Sequence, residues 1–291
     1  MLRTMLANVS AALAVVMVVV SPAMAQTDPA LLARGDYLVN VIGACGNCHT
    51  PREKGQPDLT KQLSGGFQTF DEPWFRVKGA NLTPDPETGL GRWSDAEIKS
   101  ALLEGKRPNG TPIAPIMPFP LYRSMTPRDL DAIVAYLRSV PAIKNQVQAP
   151  EYRKEAFNVP YPDAIRQATD EELKQPVKRG AYLAALGHCM ACHARRSVDA
   201  PPDFKGSWGA GGREFVSPAG KVTAANISSH KEKGLGAWTD AEIKRSLTEG
   251  VSRDGRRLKP PMLEYAGYWK SLMPEDLDAL VAWLRSIPPI E

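Results

Sequence analysis

Every cysteine in this 291-residue chain falls in one of two copies of a single string, Cys45-Gly-Asn-Cys48-His49 and Cys189-Met-Ala-Cys192-His193. Cys-x-x-Cys-His is the attachment pattern of a c-type haem. When such a segment turns, its two thiols reach the porphyrin edge, where they can form thioethers with the vinyl groups. The adjacent histidine then swings beneath the iron as the proximal ligand. Local disulfides, a redox Cys-x-x-Cys or a shared four-thiolate zinc site would each account for the thiols, but not for a histidine after both pairs. The expectation is two covalently bound haem c groups. Small domains have limited apolar area, and a large enclosed cofactor supplies part of their core.

The sequence around the motifs is duplicated. Arg34-Gly35-Asp36-Tyr37-Leu38 returns as Arg179-Gly180-Ala181-Tyr182-Leu183, displaced by 145 positions, and Asn81 meets Asn226 at the same displacement. "GLGRWSDAEIKSALLEG" (89–105) meets "GLGAWTDAEIKRSLTEG" (234–250), and "DLDAIVAYLRSVPAI" (129–143) recurs as "DLDALVAWLRSIPPI" (276–290). Units of this length are duplicated domains and not solenoid repeats. The expected organisation is a signal peptide over 1–25, a first domain over 26–141, a linker over 142–176 and a second domain over 177–291. The linker is rich in proline and polar residues, and long enough to pack across a domain face.

Each copy reads as three helices. The first spans about 29–42 and, in the second copy, about 177–186, and it delivers the haem motif at its C-terminal end. The middle helix opens on a capping box, Ser94 with Glu97 and Thr239 with Glu242, whose side chains satisfy free N–H groups at the helix start. The last begins at Thr126-Pro127, and its apolar residues Leu130, Ile133, Val134 and Leu137 recur as Leu277, Leu280, Val281 and Leu284 with helical spacing. No stretch alternates strongly enough to call a sheet. The fold class expected is all-α, two small helical domains each built around one haem. Gly35 opposite Tyr136, matched by Gly180 opposite Trp283, predicts a close crossing of the first and last helices.

At the N-terminus, Arg3 precedes an apolar run over 11–20, followed by Ser21-Pro22 and the small-residue pattern Ala23-Met24-Ala25. That is the pattern of a secretory signal peptide cleaved after Ala25. Its apolar core falls short of the roughly 20 residues that span a bilayer, and no later segment reaches that length. Attachment of haem through this motif takes place outside the bacterial cytoplasm, so export and chemistry both predict the periplasm. Of 36 basic residues only Arg3 lies in the leader, leaving 36 − 1 = 35 against 32 acidic, a net of 35 − 32 = +3. With no basic block and interspersed charges, a nucleic-acid partner is excluded. With 23 glycines and 26 prolines, irregular loops must be plentiful.

The sixth iron ligand decides the function. Met117 in "IAPIMPFP" and Met262 in "RLKPPMLEY" sit 145 apart, 68 and 69 residues beyond His49 and His193. A proline-rich loop is stiff and holds a thioether in place at little entropic cost. The rivals Met125 and Met273 do not align with each other, and Met190 lies inside a haem motif. His188 reads as a surface or propionate-contacting residue and His230 as a loop histidine. Trp93 and Trp238 read equally as propionate donors or helix-packing aromatics. Asn81-Leu-Thr83 and Asn226-Ile-Ser228 match the glycosylation sequon, a coincidence in this context.

Together, R-G-x-Y-L, C-x-x-C-H, "NLTPDPETGLGRWSDAEI" and a Met-Pro loop resemble class I cytochrome c domains, over nearly the whole of both copies. More narrowly, they resemble the cytochrome subunits that serve periplasmic alcohol, aldehyde and gluconate dehydrogenases. Those subunits usually carry three haems, whereas two motifs are present here. The resemblance implies two tandem cytochrome c domains with His49/Met117 and His193/Met262 as axial pairs. It also implies an electron carrier with no catalytic residue of its own. Its donor would be a periplasmic dehydrogenase, and its acceptor an oxidase or another cytochrome, with docking to a membrane complex at the outer face of the inner membrane. A dihaem cytochrome c peroxidase is the enzymatic alternative, but it would treat its two irons unequally. A cytochrome subunit of a haem–copper oxidase would instead keep the N-terminal segment as an anchor. Intact-mass spectrometry of the exported protein is expected to give a chain starting at Gln26 plus two haems. A retained leader would point to the anchored form.

Overall fold

The computed structural model describes residues 28–66, 69–153, 166–195, 206–217 and 220–291. The expected signal peptide lies outside them, as does the 154–165 stretch of the expected linker. The first copy comprises α1 (Pro29–Tyr37), a π turn (Leu38–Ile42), α2 (Gly46–His49), β1 (Arg52–Glu53), β2 (Gln56–Pro57), β3 (Thr69–Glu72), β4 (Phe75–Lys78), α3 (Asp95–Glu104), α4 (Phe119–Tyr122) and α5 (Pro127–Ser139). After β5 (Glu151–Tyr152), the second comprises α6 (Pro176–Leu186), α7 (Cys189–His193), β6 (Glu214–Ser217), β7 (Gly220–Thr223), α8 (Asp240–Glu249), α9 (Met262–Trp269) and α10 (Pro274–Ser286).

Local chemistry sets the helix ends. Both capping boxes form: Glu97 N donates to Ser94 Oγ at 3.3 Å and Ser94 N to Glu97 Oε2 at 2.7 Å. The matching bonds at Thr239 and Glu242 measure 3.2 and 2.7 Å. Both helices stop at a left-handed glycine, Gly105 and Gly250, each at φ 66°. The first helix differs between copies. Arg34 to Cys45 is 45 − 34 = 11 residues, and Arg179 to Cys189 is 189 − 179 = 10. The extra residue is taken up by the π turn, in which Gly43 N donates to Leu38 O five residues back.

The predicted crossing is tighter than a side chain allows. A Cβ built on Gly35 would lie 2.0 Å from Ala132 O and 2.6 Å from Tyr136 Cβ, and one on Gly180 would lie 2.0 Å from Ala279 O and 2.6 Å from Trp283 Cβ. α1 therefore meets α5, and α6 meets α10, backbone against backbone. The apolar faces of α5 and α10 close over these contacts, with Leu130, Ile133, Val134, Leu137, Leu280, Val281 and Leu284 buried at about 1.5–3 kcal/mol per side chain. The two halves are not separate cores. One continuous apolar cluster runs from Leu38 and Leu121 to Leu186 and Trp283, with α4 of the first half packed on α6 and α9 of the second on the π turn.

The molecule is predominantly helical, but the all-α expectation needs correction. β3 pairs antiparallel with β4, and β6 with β7. β5, from the expected linker, adds a third strand through Phe75↔Tyr152. Phe75 and Val77 are buried while Arg76 is exposed, so alternation is present, but over only four residues. That is the lower limit at which period-two patterning can be read, and the third strand joins by a pairing no local pattern announces. The helical predictions hold at 29–42 and 177–186 and for the middle and last helices. The crossing makes a direct prediction. Gly35→Ala or Gly180→Ala should destabilise the holoprotein by about 3 kcal/mol or more through overpacking, read as a lowered denaturation midpoint.

Candidate functional site

Each attachment string folds as one short helical turn, α2 or α7, entered through a left-handed residue. Ala44 at φ 44° and His188 at φ 46° stand directly before Cys45 and Cys189. For a residue with a Cβ this conformation costs about 1–3 kcal/mol, and it occurs at the same place in both copies. The four thiols are free of disulfides. Burial pushes Cys45 and Cys189 up to about 12 and Cys48 up to about 11. That apolar setting disfavours the thiolate form on which a reactive redox pair depends. Among the described residues no cluster of His, Cys, Asp or Glu gathers to hold a metal ion by itself.

The two histidines are held alike. His49 Nδ1 lies 2.7 Å from Ala80 O, and His193 Nδ1 lies 2.7 Å from Ala225 O. With Nδ1–H donating to a carbonyl, Nε2 carries the lone pair, which is the coordinating form of the ring. Burial lowers both imidazole pKa values, favouring that neutral form. Two glycines lock the arrangement. Gly65 N donates to His49 O at 2.6 Å and Gly211 N to His193 O at 2.7 Å. Both have positive φ, and a Cβ on either would fall within 2.7 Å of the peptide carrying the acceptor carbonyl, that of Ala80 or Ala225. The Gly65-Gly66 and Gly211-Gly212 pairs were the sequence signal for this, but nothing in their spacing linked them to the histidines.

Met117, just ahead of α4, and Met262, the first residue of α9, are both half-buried against the apolar cluster. The rivals have other places: Met125 and Met190 lie deep in the core, and Met273 is exposed, its N–H donating to Tyr37 Oη at 3.0 Å. His230 is a turn residue whose Nδ1 accepts from Glu232 N and Lys233 N. His188 differs from expectation. It is half-buried, edge-on to Tyr265 at 5.3 Å between ring centroids, with its pKa lowered to about 4 by burial. Trp93 and Trp238 pack on the core, and their carbonyls accept from Arg138 and Arg285 of α5 and α10. The sequon asparagines are structural: Asn81 Nδ2 donates to Ile143 O at 2.8 Å, and Asn226 Nδ2 to Ile290 O at 2.6 Å.

What the sequence did not disclose is a reciprocal lock between the copies. Arg34 grips Asp129 with two bonds of 2.8 and 2.7 Å, and Tyr182 reaches the same carboxylate from the other half at 2.5 Å. In mirror fashion Arg179 holds Asp276 at 2.5 Å, and Tyr37 reaches it at 2.8 Å. Burial and the facing carboxylates hold both phenols above their ordinary pKa, so each remains a donor. This explains R-G-x-Y-L residue by residue: the arginine pairs within its own copy, the glycine permits the crossing, the tyrosine crosses to the other copy and the leucine fills the core. The Asp of "DLDA", repeated at 129 and 276, was the available signal.

Paired thiols at a helical turn, followed by an imidazole presenting Nε2, fit the demands of a covalently attached haem, and the arrangement occurs twice. This is the site of a c-type cytochrome. The cytochrome c family model matches residues 33–141 and 177–288, and the chain belongs to that family. It carries two covalently bound haem c groups. It is 30% identical to a diheme cytochrome c-type protein of Cereibacter sphaeroides, over 91% of each chain. It is 29% identical to a nicotinate dehydrogenase subunit from Pseudomonas putida, over 92% of this chain and 22% of that protein. It is also 29% identical to the cytochrome c subunit of a quinone alcohol dehydrogenase of Gluconacetobacter polyoxogenes, over 92% of this chain and 59% of that one. The chain thus spans between a fifth and three fifths of these dehydrogenase subunits, and nearly all of the dihaem relative.

The lock yields a measurable expectation. Tyr37→Phe and Tyr182→Phe each remove a donor from a buried carboxylate and should cost about 1–3 kcal/mol. Their denaturation midpoints should fall by similar amounts, because the two sites are equivalent.

Proposed function

We propose that this protein is a dihaem electron relay of the periplasm, with one haem in each copy. It would take electrons from a dehydrogenase and pass them to an oxidase or another cytochrome. The observation that carries this reading is the equivalence of the two sites: the same histidine–carbonyl bond of 2.7 Å, the same left-handed entry, and a methionine at or just ahead of the start of a helix, α4 or α9. An enzyme that binds substrate at one iron needs the two to differ.

In this reading Cys45, Cys48, Cys189 and Cys192 form the thioethers, His49 and Met117 are one axial pair, and His193 and Met262 the other. When bound, haem c supplies a one-electron iron couple whose potential follows its axial ligands. The carbonyls of Ala80 and Ala225 fix the imidazole tautomer and plane. The soft thioethers of Met117 and Met262 favour the reduced state relative to a second histidine. Pro115 and Pro118 around Met117, and Pro260 and Pro261 before Met262, stiffen the loops, so ligation demands little reordering. No helix among the described residues is long and apolar enough to cross a membrane. Low-spin ferric EPR is expected to show two histidine–methionine signals, one converted to a bis-histidine signal by Met117→His and the other by Met262→His. A high-spin signal in the wild type would refute the relay and make peroxide turnover the next assay.

A further inference from the structure

The helix begun by one candidate axial ligand is seated on the attachment segment of the other copy. α9 starts at Met262, and its next residues face the first copy. Glu264 accepts two bonds of 3.1 Å from Arg52, three residues past His49, and Arg52 also donates to Asn47 Oδ1, inside the first Cys-x-x-Cys, at 2.7 Å. Arg52's side chain is only 10% exposed. The Tyr268 hydroxyl lies 3.6 Å from where a Cβ on Gly46 would stand, and Trp269 Nε1 donates to Ile42 O at 3.3 Å. Tyr265, on the same helix, turns to the second attachment segment. Its ring meets that of His188, the residue before Cys189, at 5.3 Å and 73°, and lies tilted by 30° to that of Trp269 at 5.3 Å.

We infer that the two haem sites communicate across this interface through their attachment edges, with Tyr265 of α9 as the positioning residue between them. The inference rests on the relay reading above and names where the relay's internal step occurs. The first Cys-x-x-Cys is clamped to α9 by Arg52–Glu264, and the second leans on α9 through His188 and Tyr265. One helix thereby touches both sides of the gap. The step is a bare one-electron exchange. The iron held by one copy goes from ferrous to ferric as the other goes from ferric to ferrous, and no bond or proton moves.

The symmetry of the fold does not require this arrangement, because the copies diverge here. The positions of Glu264 and Tyr265 are occupied in the first copy by Phe119 and Pro120. Among the described residues the bridge is built from α9 of the second copy.

The test uses the full holoprotein and three variants, Tyr265→Leu, Tyr265→Phe and Tyr37→Phe. The last loosens the lock between copies without touching either attachment segment. Three quantities are read: the inter-haem exchange rate after photoreduction of one site, the mutual broadening of the two low-spin EPR signals, and both reduction potentials. Tyr265→Leu should slow exchange several-fold and change the broadening, with both potentials unmoved. Tyr265→Phe, which keeps the ring, should restore wild-type values, and Tyr37→Phe should leave exchange intact. Exchange and broadening unchanged in Tyr265→Leu would overturn the bridge, as would equal slowing in Tyr37→Phe, which would mark general loosening. Failure of the relay reading looks different: the wild type itself would lack the two histidine–methionine signals.

Discussion

The backbone contact between the first and last helices of each copy is the constraint on which the rest depends. Where Gly35 lies on Ala132, and Gly180 on Ala279, two helices approach closer than any pair bearing side chains at that point. That proximity brings Arg34 to Asp129 and Arg179 to Asp276. The same first helices lead directly into the two Cys-x-x-Cys-His strings. Glycine inside a helix costs up to about 1 kcal/mol against alanine, and the packing that it allows outweighs this.

The two aspartates at these crossings are nearly or wholly buried, at 4% and 0% exposure. A buried carboxylate is costly unless paired and hydrogen-bonded, and removing one partner of such a pair typically costs about 3–5 kcal/mol. Here each carboxylate is completed by a tyrosine from the other copy. The desolvation problem created inside one domain is thus solved only when its twin docks. That coupling, together with the shared apolar cluster, makes the halves one body and seats α9 against the first attachment segment.

Within that symmetry the copies have diverged in ways that bear on the sites. The first copy absorbs one extra residue as a π turn and carries a three-stranded sheet. Its satellite core joins Phe75 and Val77 to Ala114 and Ile116, just ahead of Met117. Tyr152, arriving from the segment between the copies, donates to Pro112 O at 2.5 Å and ties that sheet to the methionine loop. The second copy places His188 where the first has Ala44, and it is this histidine that meets Tyr265. Equivalent attachment sites therefore sit in unequal surroundings.

Everything that depends on short-range pattern was legible in the chain itself. The haem strings, the capping boxes, the proline starts, the heptad-like apolar spacing and the duplication all act over a few residues or a fixed offset. They led to the first, middle and last helices of each copy. The glycine crossing was legible too, because the small residue and its bulky opposite recur together. The tertiary structure alone decided the rest: which tyrosine crosses to which aspartate, which arginine clamps Glu264, which carbonyl orients each histidine, and which strands the loops form. These are contacts between residues up to 239 positions apart. No local periodicity encodes them: the tyrosine and Arg52 contacts are set by how the two domains dock, and the histidine carbonyls and strand pairings by how the loops within each domain close.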